Sequence, residues 1–154
     1  MSDSDAYESG ERLLTFEVAG GLFALPIAGV LEVVERRESA CVPSVPGDVA
    51  RVMNYHGDAL PIVRRERLLE LAGADETESQ HVLIVTERSS TVPRLGIGVD
   101  RVLGLVDGVP ASARGASVVA ERRPIDGRVA CVLDPNRVVA RAREVIDGSL
   151  GRSE

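Results

Sequence analysis

A chain of 154 residues with 44% hydrophobic content can bury a core, as one domain or as two small joined barrels, which excludes disorder of the whole. Its formal net charge of -6 argues against a nucleic-acid partner, because phosphate binding needs a dense cationic surface. All 18 cationic side chains are Arg; without Lys there is no P-loop lysine, no kinase strand lysine and no amine for Schiff-base chemistry.

Aromatic residues make up 3% of the chain and Trp is absent, so Val, Leu, Ile and Ala must fill the core, and the abundance of Val favours strands. Residues 1–11 read as a disordered acidic tail, polar where a secretory signal would be basic and then apolar. Order begins where Leu14, Phe16 and Val18 alternate with Thr15 and Glu17, the period of a half-buried strand. Gly20-Gly21 supplies a tight reversal, and a second strand returns from Leu22 to Ile27. A V-L-E-V strand follows at Val30 to Val33. Asp48 to Met53 and Arg65 to Leu71 each read as one helical turn. Between them lie the reversal Asn54-Tyr55-His56-Gly57, where Asn and Gly tolerate left-handed backbone, and an apolar strand opening on Pro61.

The polar, aperiodic stretch at 73–78 marks a boundary between two halves, and His81 then enters the strand V-L-I-V. Residues 112–123 have mixed polarity and read as a loop with a weak strand. Asp134 as N-cap, Pro135 at the first helical position and Val138, Val139, Ala142, Val145 and Ile146 at helical spacing predict a helix over 135–147. Gly148 would end it, leaving 148–154 as a flexible tail. Cys41 and Cys131, far apart and each among apolar residues, read as buried reduced thiols. No apolar run approaches the roughly 20 residues of a membrane helix, so the expectation is a cytoplasmic protein without direct membrane insertion.

Residues 25–35, L-P-I-A-G-V-L-E-V-V-E, recur as I-G-V-D-R-V-L-G-L-V-D at 97–107. Residues 56–69 recur at 126–139, in the same order and at nearly the same offset. The two echoes point to an internal duplication. Each half would then be a small antiparallel barrel of about five short strands, too small to close a large core alone, so the halves must pack together.

Candidates for catalysis are thin. His56 and His81 are the only histidines, with no H-x-x-x-H or C-x-x-C spacing, so no metal site and no cofactor are expected. No G-x-S-x-G elbow occurs, and Gly96-Ile97-Gly98 lacks the third glycine of a dinucleotide fingerprint, whose place Arg101 takes. An enzyme built on tandem barrels is the weakest of the function classes considered, because no group of polar residues stands out as nucleophile or base.

The stretch Val42 to Leu69 sets Pro43 and Pro46 before a short apolar segment at Val49 to Val52, then Asn54-Tyr55-His56-Gly57, then Pro61-Ile62-Val63. That order resembles the central signature of the CheW-like family, scaffolds that couple chemoreceptors to a histidine kinase. The likeness extends over residues 13–146 and includes the opening hairpin, Val30-Leu31-Glu32-Val33, the segment at 96–102 and the late strand before the final helix. It implies a mostly β fold of two pseudo-repeated, interlocked five-stranded SH3-like barrels with a C-terminal helix over a domain of 12–147, and no catalytic centre. It implies as partners the regulatory domain of a CheA-type histidine kinase, docked on one barrel, and the cytoplasmic tips of chemoreceptors, where the barrels meet. Carried over by position, Glu32 matches an acidic residue and His56 the arginine of an N-L-R-G motif, a charged pair at the working surface flanked by Val30, Tyr55 and Gly57.

Two departures bear on partner choice. An imidazole, with an ordinary pKa of about 6.5, replaces a permanent cation at His56. Arg64, with Arg65 and Arg67, stands where the family carries an aspartate. This cluster reads either as a solvated helix face interleaved with Glu66 and Glu70, or as a surface for a different acidic partner outside chemotaxis.

Overall fold

The computed structural model describes residues 12–35, 49–69, 71, 81–108 and 117–152. The first half of the chain supplies β1 (Arg12–Val18), β2 (Gly21–Pro26), a 3-10 turn (Ile27–Gly29), β3 (Val30–Glu35), β4 (Val49–Tyr55), β5 (Asp58–Val63) and the single-turn helix α1 (Arg65–Leu68). The second supplies β6 (His81–Val85), β7 (Leu95–Val99), β8 (Arg101–Asp107), β9 (Val119–Ile125), β10 (Arg128–Leu133) and α2 (Pro135–Arg152). The tail at 1–11, Cys41, Pro43, Pro46 and the boundary at 73–78 lie outside the described residues.

Two five-stranded curled sheets result, ordered β8-β1-β2-β10-β9 and β3-β6-β7-β5-β4. Laid side by side, the orders match place for place: β1 corresponds to β6, β2 to β7, β3 to β8, β4 to β9 and β5 to β10. The duplication read from the sequence is therefore a duplication of topology. It is not one barrel per half, however. β3 leaves its own half to pair with β6, β8 leaves its own to pair with β1, and each sheet contains a parallel pair, β2 with β10 and β5 with β7. The two interlocked five-stranded units and the C-terminal helix are as expected, and only the expectation that each half closes its own antiparallel barrel is corrected. The cause is brevity: only the 3-10 turn separates β2 from β3 and only Asp100 separates β7 from β8, so each third strand runs straight on into the other sheet.

Local chemistry explains most of the elements. Three reversals carry successive positive φ angles, at Ala19-Gly20 (52° and 83°), His56-Gly57 (52° and 90°) and Asp126-Gly127 (50° and 81°). Such pairs suit the two-residue turns whose twist matches that of antiparallel strands. The first reversal thus sits one residue earlier than the Gly20-Gly21 expected, with Gly21 already in β2. At Asp134 the carboxylate accepts the Arg137 N–H at 3.0 Å, the N-cap bond foreseen for α2. The helix continues through Gly148 to Arg152, further than the predicted 135–147, and glycine inside a helix weakens it without ending it.

Two other expectations change. Residues 49–53 form part of β4 rather than a helical turn, because Val52 and Met53 pair across to Pro61 and Leu60 and ladder pairing overrides the local pattern. Likewise 119–123, expected to be largely loop, belong to a regular strand whose charged residues suit an edge position with one open side. β1 is not half-buried: Leu14, Phe16 and Val18 face one core, Leu13 another, and Thr15 is buried with its Oγ1 donating to the Gly104 carbonyl at 3.1 Å. His81 opens β6 as expected but is half-buried, and Cys131 is half-buried against the main core.

The largest core lies between the sheets and under α2, and is built from residues such as Phe16, Leu25, Leu83, Ile97, Leu133 and Val138. Each curl encloses only a small cluster, Leu13, Ala24 and Val132 in the first sheet and Leu60, Val82 and Ile84 in the second. Where the chain crosses sheets, Gly29 runs so close to the start of α2 that a Cβ there would lie 2.4 Å from the Pro135 ring. Gly29→Ala is therefore expected to lower stability by about 1–3 kcal/mol through overpacking, read as a lower urea midpoint with an unchanged slope.

Candidate functional site

Strands β3 and β4 are the two edges of the second sheet and share no ladder. Side chains join them instead. The Tyr55 hydroxyl, at the end of β4, donates to Glu32 Oε1 on β3 at 2.7 Å, and His56 Nε2 lies 3.7 Å from the same oxygen. The Tyr55 and His56 rings meet edge to face with centroids 4.3 Å apart. The turn beneath them is braced, since the Gly57 N–H donates to Asn54 Oδ1 at 2.8 Å while His56 takes the left-handed conformation. The expected residues Glu32, Tyr55, His56 and Gly57 therefore come together at one exposed corner, with the His56 side chain 74% accessible.

Val30 does not join them. A bulge in β3 between Val30 and Glu32 puts the two on opposite faces: Val30 pairs with Val85 and packs on the main core, while Glu32 pairs with Ile84. Tyr55 is more than a flank of the expected pair, because its hydroxyl makes the shortest bond to Glu32 and its ring packs on the small core of the second sheet. Burial, then the bond to Glu32 and the charge of that carboxylate, raise the Tyr55 phenol above its ordinary 10.0.

The duplication supplies an internal control. In the first sheet the positions equivalent to Glu32, Tyr55 and His56 are Gly104, Ile125 and Asp126. Ile125 packs on a small core as Tyr55 does, and Asp126 repeats the left-handed turn of His56. The fold thus stands without the polar cluster, which belongs to one sheet only. Sequence reading also passed over Val33 and Leu105, equivalent edge residues that are 38% and 49% exposed. Alternation along a strand does not reveal which face of an edge remains open.

The cationic cluster is not a surface at all at its centre. Arg65 is buried and binds Asp100 Oδ1 at 2.7 Å, Arg64 binds Glu66 at 3.1 Å, and the Arg67 carbonyl accepts Arg141 Nη2 at 3.3 Å. Both earlier readings, solvated face and acidic-partner surface, are corrected for Arg65. Asp100 also accepts the Ala19 N–H on Oδ2 at 2.8 Å, while its own N–H donates to the Glu17 carbonyl at 2.9 Å. One carboxylate thus ties the α1 end of the second sheet to the first hairpin.

Among the described residues, no three His, Cys, Asp or Glu side chains converge as metal ligands, and no helix is long and apolar enough to cross a membrane.

The family model described as CheW-like domain matches residues 12–143, most of the chain. The chain belongs to the CheW-like domain family. Members are non-catalytic scaffold domains. The chain is 25% identical over 136 residues to the chemotaxis protein CheA of Salmonella typhimurium, a match that covers 85% of this chain and 20% of that protein. It is 27% identical over 100 residues to the chemotaxis protein CheW of Treponema pallidum, covering 62% of this chain and 56% of that one. The match thus spans about a fifth of one curated relative and little more than half of the other. The crystal structure of the scaffolding protein TtCheW from Thermoanaerobacter tengcongensis superposes with a TM-score of 0.64 at 17% identity, over 81% of this CheW-like chain and 89% of TtCheW, which supports the fold.

Two measurements check the geometry of this domain. Asp100→Ala leaves the Arg65 guanidinium buried without its counter-charge and is expected to cost about 3–5 kcal/mol of stability in denaturant unfolding. For Tyr55 the fold favours the neutral phenol, so its bond to Glu32 persists below pH 10.0 and is lost as pH rises through the elevated value. Absorbance titration of phenolate, in a chain whose other tyrosine is Tyr7, is expected to lose in Tyr55→Phe a step lying above the ordinary tyrosine value.

Proposed function

We propose that this chain is a non-catalytic adaptor that couples chemoreceptors to a CheA-type histidine kinase in a chemotaxis-like two-component pathway in the cytoplasm. The observation that carries the reading is the exposed Glu32–Tyr55–His56 corner: it is built to one side of a duplicated fold whose other copy does without it. A polar cluster that the architecture does not need is best accounted for by a partner.

Family membership supports the adaptor role, and the chemotaxis names of both relatives support the pathway. Similarity to one part of a CheA supports a kinase contact between related domains, each offering a curled sheet to the other. The chemoreceptor contact falls to the region where the sheets meet, close to the crossing strands β3 and β8. In this reading Glu32, Tyr55, His56 and Gly57 form the contact corner, and Val30 acts behind it by holding β3 on the core.

Calorimetric titration of the kinase regulatory domain and of a receptor-tip fragment into wild type, Glu32→Ala and His56→Ala tests the reading. Each substitution is expected to weaken one of the two partners by about 1–2 kcal/mol, roughly fivefold to thirtyfold. Unchanged affinity for both partners in both variants would remove the corner from the interface.

A further inference from the structure

Among the described residues four strands form the sheet edges, and three of them carry features that discourage pairing with another chain. β3 presents Glu32 and Glu35, β9 presents Arg122 and Pro124, and β4 is tied at its end to β3 through Tyr55. Charge and proline on an edge are the usual guards against intermolecular sheet growth. β8 has neither charge nor proline along its middle, where its one irregularity is a bulge against β1. It pairs with β1 on one side, and among the described strands it has no neighbour on the other.

The seven residues of β8 are Arg101, Val102, Leu103, Gly104, Leu105, Val106 and Asp107. They read as a chemical palindrome about Gly104: Leu103 mirrors Leu105, Val102 mirrors Val106, and the cation Arg101 mirrors the anion Asp107. Leu103 and Leu105 are 42% and 49% exposed, and the two end charges are exposed as well. Leu103 is the unpaired residue of the bulge against β1. Gly104 carries no side chain on the face of the strand, and a Cβ built there would meet nothing within 4 Å.

We propose that the free edge of β8 is a docking site for a second copy of this chain, with two β8 strands antiparallel about a twofold axis at Gly104. In that register Arg101 of each copy faces Asp107 of the other, and Leu103 of each faces Leu105 of the other. An isologous contact requires a patch that is its own complement, which a palindromic strand with opposite charges at its ends provides. Gly104 facing Gly104 lets the backbones approach, and opposite charges and apolar pairs across strands each add to the pairing. Asp107 lies 3.8 Å from Arg12 of its own chain, an exposed pair that costs little to exchange. The proposal does not depend on the coupling role, since it concerns contact between identical chains.

One strand pair is a small interface, so the dimer is weak, with a dissociation constant on the order of 10–100 µM. Sedimentation equilibrium of the full chain across that range is expected to show the average mass rising from 16.4 kDa towards twice that value. D107R and R101D, each placing like charges opposite one another, are expected to weaken the dimer at least about tenfold. The double variant R101D/D107R, which restores opposite charges in reversed order, is expected to recover wild-type association within a few fold. Melting temperatures report whether each variant is folded, and Leu105→Glu, at an exposed position, serves as an independent disruptor should a charge variant unfold. A chain monomeric throughout the range overturns the proposal. So does a dimer indifferent to the single substitutions and to Leu105→Glu, or one that the double exchange does not rescue.

Discussion

The exchange of β3 and β8 between the sheets is the constraint on which the rest of this molecule depends. Each sheet lacks an edge strand until the other half of the chain donates it, and each encloses only a handful of buried residues. The large apolar cluster lies between the sheets, so most of the buried surface exists only when both are present and packed. Hydrophobic burial scales with the area removed from water, and here that area is shared. Two subdomains in appearance are therefore one unit in energetics.

At the crossings, packing has to accommodate polar backbone and a change of direction within very few residues. On one side Gly29 slips beneath Pro135, and the Thr86 N–H donates to the Gly29 carbonyl at 3.0 Å. On the other, Asp100 gathers Arg65, the Ala19 amide and the Glu17 carbonyl. The two solutions differ although the topology is the same, one relying on close approach and the other on a charge network. A buried ion pair adds little to net stability compared with apolar packing, but removing one partner strands the other charge in the interior.

The Glu32–Tyr55–His56 corner lies on this shared scaffold without being part of its support. Tyr55 serves both sides, its ring inside the small core and its hydroxyl on Glu32, so the carboxylate is held at a fixed place against an exposed imidazole. The equivalent corner of the first sheet keeps the apolar half of that device in Ile125 and discards the polar half. Duplication has thus left one corner plain and one corner decorated, which separates what folding needs from what one sheet carries in addition.

Features that depend on near neighbours were legible in the sequence. The turn at His56-Gly57, the Asp134 cap, the start of α2 and the repeat itself follow from φ preferences, short-range hydrogen bonds and apolar spacing. So did the family, because its motif is a sequence of turn and strand residues in fixed order. The tertiary structure decided everything that joins distant segments: the sheet each third strand enters, β4 as a strand rather than a helical turn, Val30 facing the core, and Arg65 buried on Asp100, 35 residues away. It likewise decided that Tyr55, 23 residues from Glu32, is the principal partner of that carboxylate. The division is physical: local pattern fixes what a segment can be, whereas burial and partner, which select among those states, exist only after the chain has crossed between its own sheets.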